Sequence, residues 1–148
     1  MKNKIKNLVG QAVTKSSAGG SAGSILMLEF ESKAYFFIWC SWRIEHDSKV
    51  LVTSSDTVLP TENNDSPNGF IGENAPVLIG KKVISFNLTP FYDLELVFEN
   101  EYKVRIFCDI GASRDDYEMN WEFNIPLENT SIEITNYHEL KISEEKFD

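Results

Sequence analysis

The chain has 148 residues, of which 42% are hydrophobic and 12% aromatic, so we predict one globular domain, 1–148, that is stable without disulfides. Its net charge of −9 comes from residues 91–148, which hold fifteen Asp and Glu against five Lys and Arg, whereas residues 1–90 are nearly balanced. This acidity disfavours nucleic acid and anionic membranes as partners and favours a basic protein, although a solvated surface that charge keeps soluble explains the excess as well.

The first residues carry three lysines but lack the apolar run of a signal peptide, and no later stretch is long and apolar enough to cross a membrane. We therefore expect a cytoplasmic protein with reduced cysteines. Apolar residues from Ile5 to Val13 have helical spacing, which predicts a short N-terminal helix. From Gly10 onward an internal repeat predicts a strand instead, so helix and strand both stay open for this segment.

The repeat consists of two degenerate copies of one strand pattern, 8–52 and 78–135. The motif Leu-aliphatic-Gly-x-x-Val begins at Leu8 and again at Leu78, and Leu-x-Leu-x-Phe-Glu begins at Leu26 and again at Leu94. Such a unit cannot cover its own apolar face, so each copy should pack against the other. We therefore predict a mainly β protein in which two tandem antiparallel β-meanders form one sandwich or half-barrel-like domain. It becomes α+β if the N-terminal helix is present.

In the first copy, the run from Ala34 to Glu45 is apolar on both faces for most of its length, which predicts one strand that is either central or covered on both sides. Its outward residues Tyr35, Phe37 and Trp39 form an aromatic row, which either packs under another layer or lines a pocket. A polar connection, 53–77, rich in Ser, Thr, Asn, Asp, Gly and Pro, then joins the copies. A loop of this length is usually mobile or functional.

In the second copy, alternating apolar residues predict half-buried antiparallel strands with a tight turn at Asn100 and Glu101. Lys103 and Arg105 take the outward places that the aromatic row holds in the first copy. A strand with Trp121, which we match to Trp42 in the repeat, should end at Pro126. A last strand contains Ile132 and Ile134.

The acidic segment from Asp109 to Asn120 interrupts the second copy where the first has only Ser41. It combines an aromatic anchor with charges, a composition suited to a protein interface, although an ordinary acidic loop explains it equally well. The predicted partner-binding residues are Asp109, Arg114, Asp115, Asp116, Tyr117 and Glu118.

No motif for a reaction is present. Cys40, His46, Cys108 and His138 lack the paired spacings of a zinc site. Because both cysteines alternate in phase with apolar residues, we expect buried core thiols and not nucleophiles. His138 is expected at the surface. We predict no enzyme, no metal and no cofactor.

The Leu-x-Gly-x-x-Val motif at Leu8, the Leu-x-Leu-x-Phe-Glu motif at Leu26 and the strand Trp121-Glu-Phe123 resemble small β-rich bacterial immunity proteins of polymorphic toxin and contact-dependent growth-inhibition systems. The resemblance implies a cytoplasmic protein that neutralises a cognate toxin by binding it, and a basic toxin such as a nuclease would suit the acidic C-terminal part. The alternatives are a small-ligand-binding β domain and a structural or homo-oligomeric protein. The sequence leaves the oligomeric state open.

Overall fold

The structure is a computed structural model that describes residues 1–144. Two antiparallel sheets pack face to face, so the predicted mainly β sandwich built from two meander repeats is confirmed. The strands are β1 (Val13–Ser17), β2 (Leu26–Phe30), β3 (Tyr35–Ile38), β4 (Ser41–His46), β5 (Lys49–Thr53), β6 (Val83–Leu88), β7 (Leu94–Phe98), β8 (Tyr102–Phe107), β9 (Met119–Ile125), β10 (Thr130–Thr135) and β11 (Leu140–Glu144). The α-helices are α1 (Lys2–Lys6) and α2 (Gly69–Asn74). Short 3-10 turns cover Gly20–Ala22, Ala75–Leu78, Glu99–Glu101 and Pro126–Glu128.

The two copies exchange strands between the sheets. The six-stranded sheet has the order β1-β2-β3-β9-β10-β11, and the five-stranded sheet has the order β5-β4-β8-β7-β6. Each copy therefore places a three-stranded meander in one sheet and its next two strands in the other. The repeat matches β1 with β6, β2 with β7, β3 with β8, β9 with β4 and β10 with β5. The first five strands of the six-stranded sheet therefore follow the same order as their partners in the five-stranded sheet, so the copies are related by a pseudo-two-fold axis. The copies therefore pack against each other, as predicted, with strands of each copy in both sheets.

The repeated Leu-x-Gly-x-x-Val motif joins the copies at this axis. The backbone N–H of Gly10 donates to the carbonyl of Val83 at 2.8 Å, and that of Gly80 donates to the carbonyl of Val13 at 2.8 Å. Both glycines have φ near +90°, at +91° and +86°, a region that side-chain-bearing residues rarely adopt. The motif is thus a structural joint that needs glycine in each copy.

The two tryptophans that we matched through the repeat occupy equivalent places. The indole N–H of Trp42 donates to the carbonyl of Ser24 at 2.7 Å, and that of Trp121 donates to the carbonyl of Tyr92 at 3.0 Å. Ser24 and Tyr92 are themselves repeat partners, 68 residues apart. Both rings are fully buried, at 1% and 0% exposure, so each satisfied indole helps to define one half of the core.

The run from Ala34 to Glu45 is two strands and not one. The chain leaves the six-stranded sheet after Ile38 and enters the five-stranded sheet at Ser41, and each half is central in its own sheet. Alternation of apolar residues continues through the crossing because both halves face the same core. The sequence pattern therefore could not show where the chain changes sheets.

The core lies between the inner faces of the two sheets. Phe36 and Phe123 stack with their ring centroids 4.4 Å apart on adjacent strands, and Phe36 also contacts Trp121 at 5.8 Å. Cys40 is buried as predicted, whereas Cys108 is only half-buried, because the chain leaves the ladder at that point.

The N-terminal segment, the turn at Asn100 and the end of β9 were each the subject of a local prediction. The N-terminal segment is helical in α1, with Ile5 buried, and becomes strand only at β1. Asn100 and Glu101 both have positive φ, at 60° and 63°, which matches a tight I′ hairpin turn. β9 ends at Ile125, immediately before a proline, as predicted.

Two elements were missed. The polar connection carries α2, whose Ile71 is completely buried, so part of it belongs to the core. The strand with Ile132 and Ile134 is not the last, because β11 adds an edge strand beyond it. The alternation of apolar residues in β11 is too short, and its other residues are too polar, for this strand to be recognised in the sequence. Neither α-helix in residues 1–144 has the length and apolar character needed to cross a membrane.

Candidate functional site

The candidate site lies where the chain crosses between the sheets. In the first copy only Trp39 and Cys40 separate β3 from β4, whereas in the second copy residues 109–118, here called the acidic loop, lie between β8 and β9. The pseudo-two-fold relation places these two crossings side by side. The acidic loop therefore lies beside Trp39, at the edge of the sandwich where the chain crosses between the sheets.

A buried asparagine holds the base of the acidic loop. The Asn120 Oδ1 atom accepts a hydrogen bond from the N–H of Ile110 at 2.9 Å, and its Nδ2 donates to the carbonyls of Ile110 and Thr135 at 3.2 and 3.0 Å. The Asn120 carbonyl also accepts from the N–H groups of Trp39 and Cys40 at 2.9 and 3.0 Å. One residue thus ties together the loop, β10 and the other crossing.

The turn between β10 and β11 braces the loop from the other side. Asn136 donates through Nδ2 to the carbonyl of Tyr117 at 2.9 Å, and its N–H donates to the carbonyl of Glu118 at 3.1 Å. His138, which we expected as a plain surface residue, is half-buried and bonds through Nε2 to the carbonyl of Cys108 at 2.9 Å. These bonds preorganise the loop, which lowers the entropy cost of binding a partner.

The six residues predicted for partner binding have different positions. Asp109 closes the loop root, because its carboxylate accepts from the N–H of Ser41 at 3.0 Å and from the Ser41 hydroxyl. Arg114 makes a bidentate pair with Asp116 at 2.9 and 2.8 Å. Its guanidinium also lies 4.9 Å from the centroid of the Tyr117 ring. The remaining two, Asp115 and Glu118, are exposed.

An ion pair inside the loop joins Arg114 to Asp116. The hydrogen bond and charge of Arg114 lower the pKa of Asp116, and Asp116 in turn raises the pKa of Arg114. Both groups are exposed, so the pair contributes little to stability. The Arg114 guanidinium itself occupies the position between the Tyr117 ring and the Asp116 carboxylate, so a cation of another molecule has to displace Arg114 to bind there.

The aromatic row of Tyr35, Phe37 and Trp39 meets the acidic loop at Trp39. Successive ring centroids are 5.4 and 5.8 Å apart, and all three rings are half-buried on the outer face of the six-stranded sheet. The row is therefore not sealed under another layer of the described chain. Burial, together with Glu122 and Glu29, raises the pKa of the Tyr35 hydroxyl, which places carboxylates beside the row.

Two shallow open cavities flank Trp39. One, of about 200 Å³, is polar and contains Ser41, Ser54, Asp109 and Arg114 in its wall. The other, of about 390 Å³, is lined by Ile25, Trp39, Asp116, Tyr117, Glu118 and Met119. Tyr117 borders both cavities, so the aromatic row, the two cavities and the acidic loop form one continuous surface, here called the Trp39–Tyr117 surface.

Sequence reasoning found both parts of this surface but not their union. Trp39 was assigned to the aromatic row and Tyr117 to the acidic segment, and Ile25, Ser54 and Met119 were not singled out. A usable signal was present, because Ser41 and Asp109 are repeat partners 68 residues apart and lie beside Trp39 and the loop. If Ser41 and Asp109 had been assumed to lie next to each other across the axis, the aromatic row and the acidic segment would have been predicted as neighbours.

The outer face of the five-stranded sheet is a contrasting surface. Glu45 accepts from Arg43 at 2.6 Å and from Arg105 at 2.7 Å, and Arg105 also pairs with Glu95 at 2.5 Å. Burial opposes ionisation of Glu45, but the two arginines outweigh it and lower the Glu45 pKa. A cavity of about 630 Å³ lies on this face. Its central charges are already paired with one another, so they leave little attraction for a partner.

No family model, curated protein or solved structure matches the chain. Among residues 1–144 no group of three or more His, Cys, Asp or Glu side chains has the arrangement of metal ligands. His46 stacks on Tyr102 with centroids 4.1 Å apart, far along β4 from Cys40. The site is therefore interpreted from its own geometry.

Proposed function

We propose that this protein is a binding module that captures a basic protein through the Trp39–Tyr117 surface, and that it acts as an immunity protein against a bacterial toxin. The observation that carries the proposal is the continuity of the aromatic row with the acidic loop at Trp39. Aromatic faces beside carboxylates attract Arg and Lys side chains through cation–π contacts and ion pairs.

The shape of the surface favours a macromolecular partner. Its two cavities, of about 200 and 390 Å³, are shallow, and the aromatic row extends beyond them along β3. Protein interfaces concentrate their binding energy in a few aromatic anchors of this kind, surrounded by polar groups. Trp39 and Tyr117 are the anchors in this proposal.

Charge supports the same partner class. Residues 91–148 carry an excess of ten negative charges, and the exposed Asp115 and Glu118 flank Tyr117 and the Arg114-paired Asp116 in the acidic loop. Such a field speeds the encounter with a basic protein and is screened by salt. A basic nuclease toxin fits these requirements, and its inhibition by direct binding needs no catalytic group on this chain.

The proposal is tested by co-expressing the protein with a toxin encoded by an adjacent gene and measuring growth and binding. Trp39→Ala and Tyr117→Ala should each weaken binding about 30-fold, the usual effect of removing a central anchor. Phe107→Ala is the matched control, because Phe107 is 36% exposed on the outer face of the other sheet. It should leave binding unchanged.

A charge series separates steering from contact. Asp116→Asn should slow association and weaken its salt dependence, whereas Glu101→Gln should not, because Glu101 lies at the other end of β8, about 20 Å from the loop. Equal killing with and without the protein would rule out the immunity function. Loss of binding in Phe107→Ala but not Trp39→Ala would move the interface to the five-stranded sheet.

A small cationic ligand is the second candidate, because the cavity of about 390 Å³ between Trp39 and Tyr117 falls within the size range of ligand sites. Titration with arginine and with short amines, followed by tryptophan fluorescence, distinguishes the two functions. Saturable micromolar binding of such a compound, with no protein partner, would favour the small-ligand function.

A further inference from the structure

The two cysteines face each other across the pseudo-two-fold axis. The ladder between β4 and β8 ends where Ser41 faces Phe107, and the same register continued by one residue pairs Cys40 with Cys108 just beyond it. The two residues are repeat partners, 68 residues apart, and the Cys108 side chain lies close enough to Cys40 to raise the pKa of the Cys40 thiol. The contact is therefore built into the duplicated fold and is not a chance approach of two side chains.

The backbone hydrogen bonds around the pair leave Cys40 and Cys108 free to face each other. The N–H of Cys40 donates to the carbonyl of Asn120, and the N–H of Cys108 donates to Asp93 Oδ1, so neither N–H bonds to the opposite cysteine. A facing pair of this kind resembles the non-hydrogen-bonded pair of an antiparallel ladder, whose Cα atoms lie about 4.5 Å apart. Disulfides span Cα separations of about 4.4–6.8 Å.

We propose that Cys40 and Cys108 form an intramolecular disulfide when the folded protein meets a small disulfide oxidant such as oxidised glutathione. The Cys108 sulfur attacks one sulfur of the oxidant and releases the first glutathione thiol. The Cys40 sulfur then attacks the Cys108 sulfur of this mixed disulfide and releases the second. Two protons leave the protein, its two thiols are oxidised, and one oxidant molecule is reduced to two thiols.

The order of the two steps follows from access and protonation. Cys108 is half-buried and its thiol reaches the carbonyl of Tyr92 at 3.2 Å, whereas Cys40 is 2% exposed. The hydrogen bond to Cys108, reinforced by burial, raises the pKa of Cys40, so this thiol keeps its proton until Cys108 has reacted.

The disulfide would join the start of β4 to the end of β8 and close a long loop of chain. Constraining a loop of this length in the unfolded state should raise the midpoint of thermal unfolding by roughly 10 °C. Cys108 directly precedes the acidic loop, so the bond would also fix the loop root. The inference does not depend on the proposed binding function.

The test is to treat the folded protein with oxidised glutathione and follow intact mass and free thiols over time. The wild type should lose both thiols and about 2 Da, the two hydrogens of disulfide formation. Cys40→Ala should stop at a mixed disulfide on Cys108. Cys108→Ala should react at least about 10-fold more slowly, because its remaining thiol is buried. Circular dichroism confirms that each variant is folded.

Three outcomes would overturn the proposal. The first is stable glutathione adducts on wild-type Cys108, and the second is no reaction of the folded wild type within hours. The third is faster formation of the Cys40–Cys108 bond in urea than in native buffer, because it would mean that unfolding and not the native register brings the thiols together. A rise in the unfolding midpoint that reverses with dithiothreitol supports the proposal.

Discussion

The two central strand pairs, β3–β9 and β4–β8, are equivalent under the repeat but differ on their outer faces. Inside, both pairs contribute buried aromatic and aliphatic residues to one core. Outside, β4–β8 carries a network of ion pairs, whereas β3–β9 carries the aromatic row. The corresponding outward positions are Arg43 and Glu122, Glu45 and Asn124, Lys103 and Tyr35, and Arg105 and Phe37.

This contrast separates the positions of the duplicated pattern that the shared core constrains from the positions that it leaves free. The interior positions must fill one shared core, so they keep the same residue classes in both copies. The exterior positions are free to diverge. The five-stranded sheet uses them to neutralise its own charges, and the six-stranded sheet presents uncovered aromatic rings beside the acidic loop.

The largest expected effect comes from the shared interior. Trp42→Ala and Trp121→Ala should each lower the free energy of unfolding by about 3–5 kcal/mol, because each removes a fully buried ring and leaves a cavity. Urea denaturation measures the change. Phe37→Ala, on the outer face, should cost less than either. The same substitution at different buried sites changes the free energy of unfolding by amounts that differ by about 2 kcal/mol. A larger difference between the two tryptophan variants would contradict their equivalence.

The next effect distinguishes two buried asparagines in β9. Asn120 uses both atoms of its amide group, whereas the Nδ2 of Asn124 has no hydrogen-bond partner in residues 1–144 although the residue is 4% exposed. Asn120→Val should therefore lower the free energy of unfolding by about 2–3 kcal/mol, and Asn124→Val should raise it by about 1 kcal/mol. Urea denaturation tests both. A loss in Asn124→Val equal to that in Asn120→Val would mean that the Asn124 amide is satisfied.

The smallest effect concerns the charged exterior of β4. Because the folded state lowers the Glu45 pKa, the carboxylate stabilises the protein above its unfolded pKa of about 4.3, and this contribution is lost as pH falls through the lower folded value. Glu45→Gln should thus be less stable than the wild type by under about 1 kcal/mol at pH near 7. The gap should close at pH near 2. A gap that does not change with pH would show that Arg43 and Arg105 do not favour the ionised form.

Much of the fold could be predicted from the sequence. Alternation of apolar residues identified most strands, the repeat identified two meanders, and the two-residue gap between strand runs identified the hairpin at Asn100. The α2 helix and β11 were not predicted, because both are short and their patterns are mostly polar. The site was predicted as two unrelated features, the aromatic row and the acidic segment.

The sequence by itself determined the β class, the duplication, the buried face of each strand and the uneven charge, because periodicity and composition are local properties of the chain. Only the tertiary structure decided that the copies exchange strands, that Trp39 lies beside Tyr117, and that Cys40 faces Cys108. These contacts depend on which strands become neighbours, and alternation is the same whichever sheet a strand joins. The pseudo-two-fold crossing therefore creates both the candidate surface and the cysteine pair.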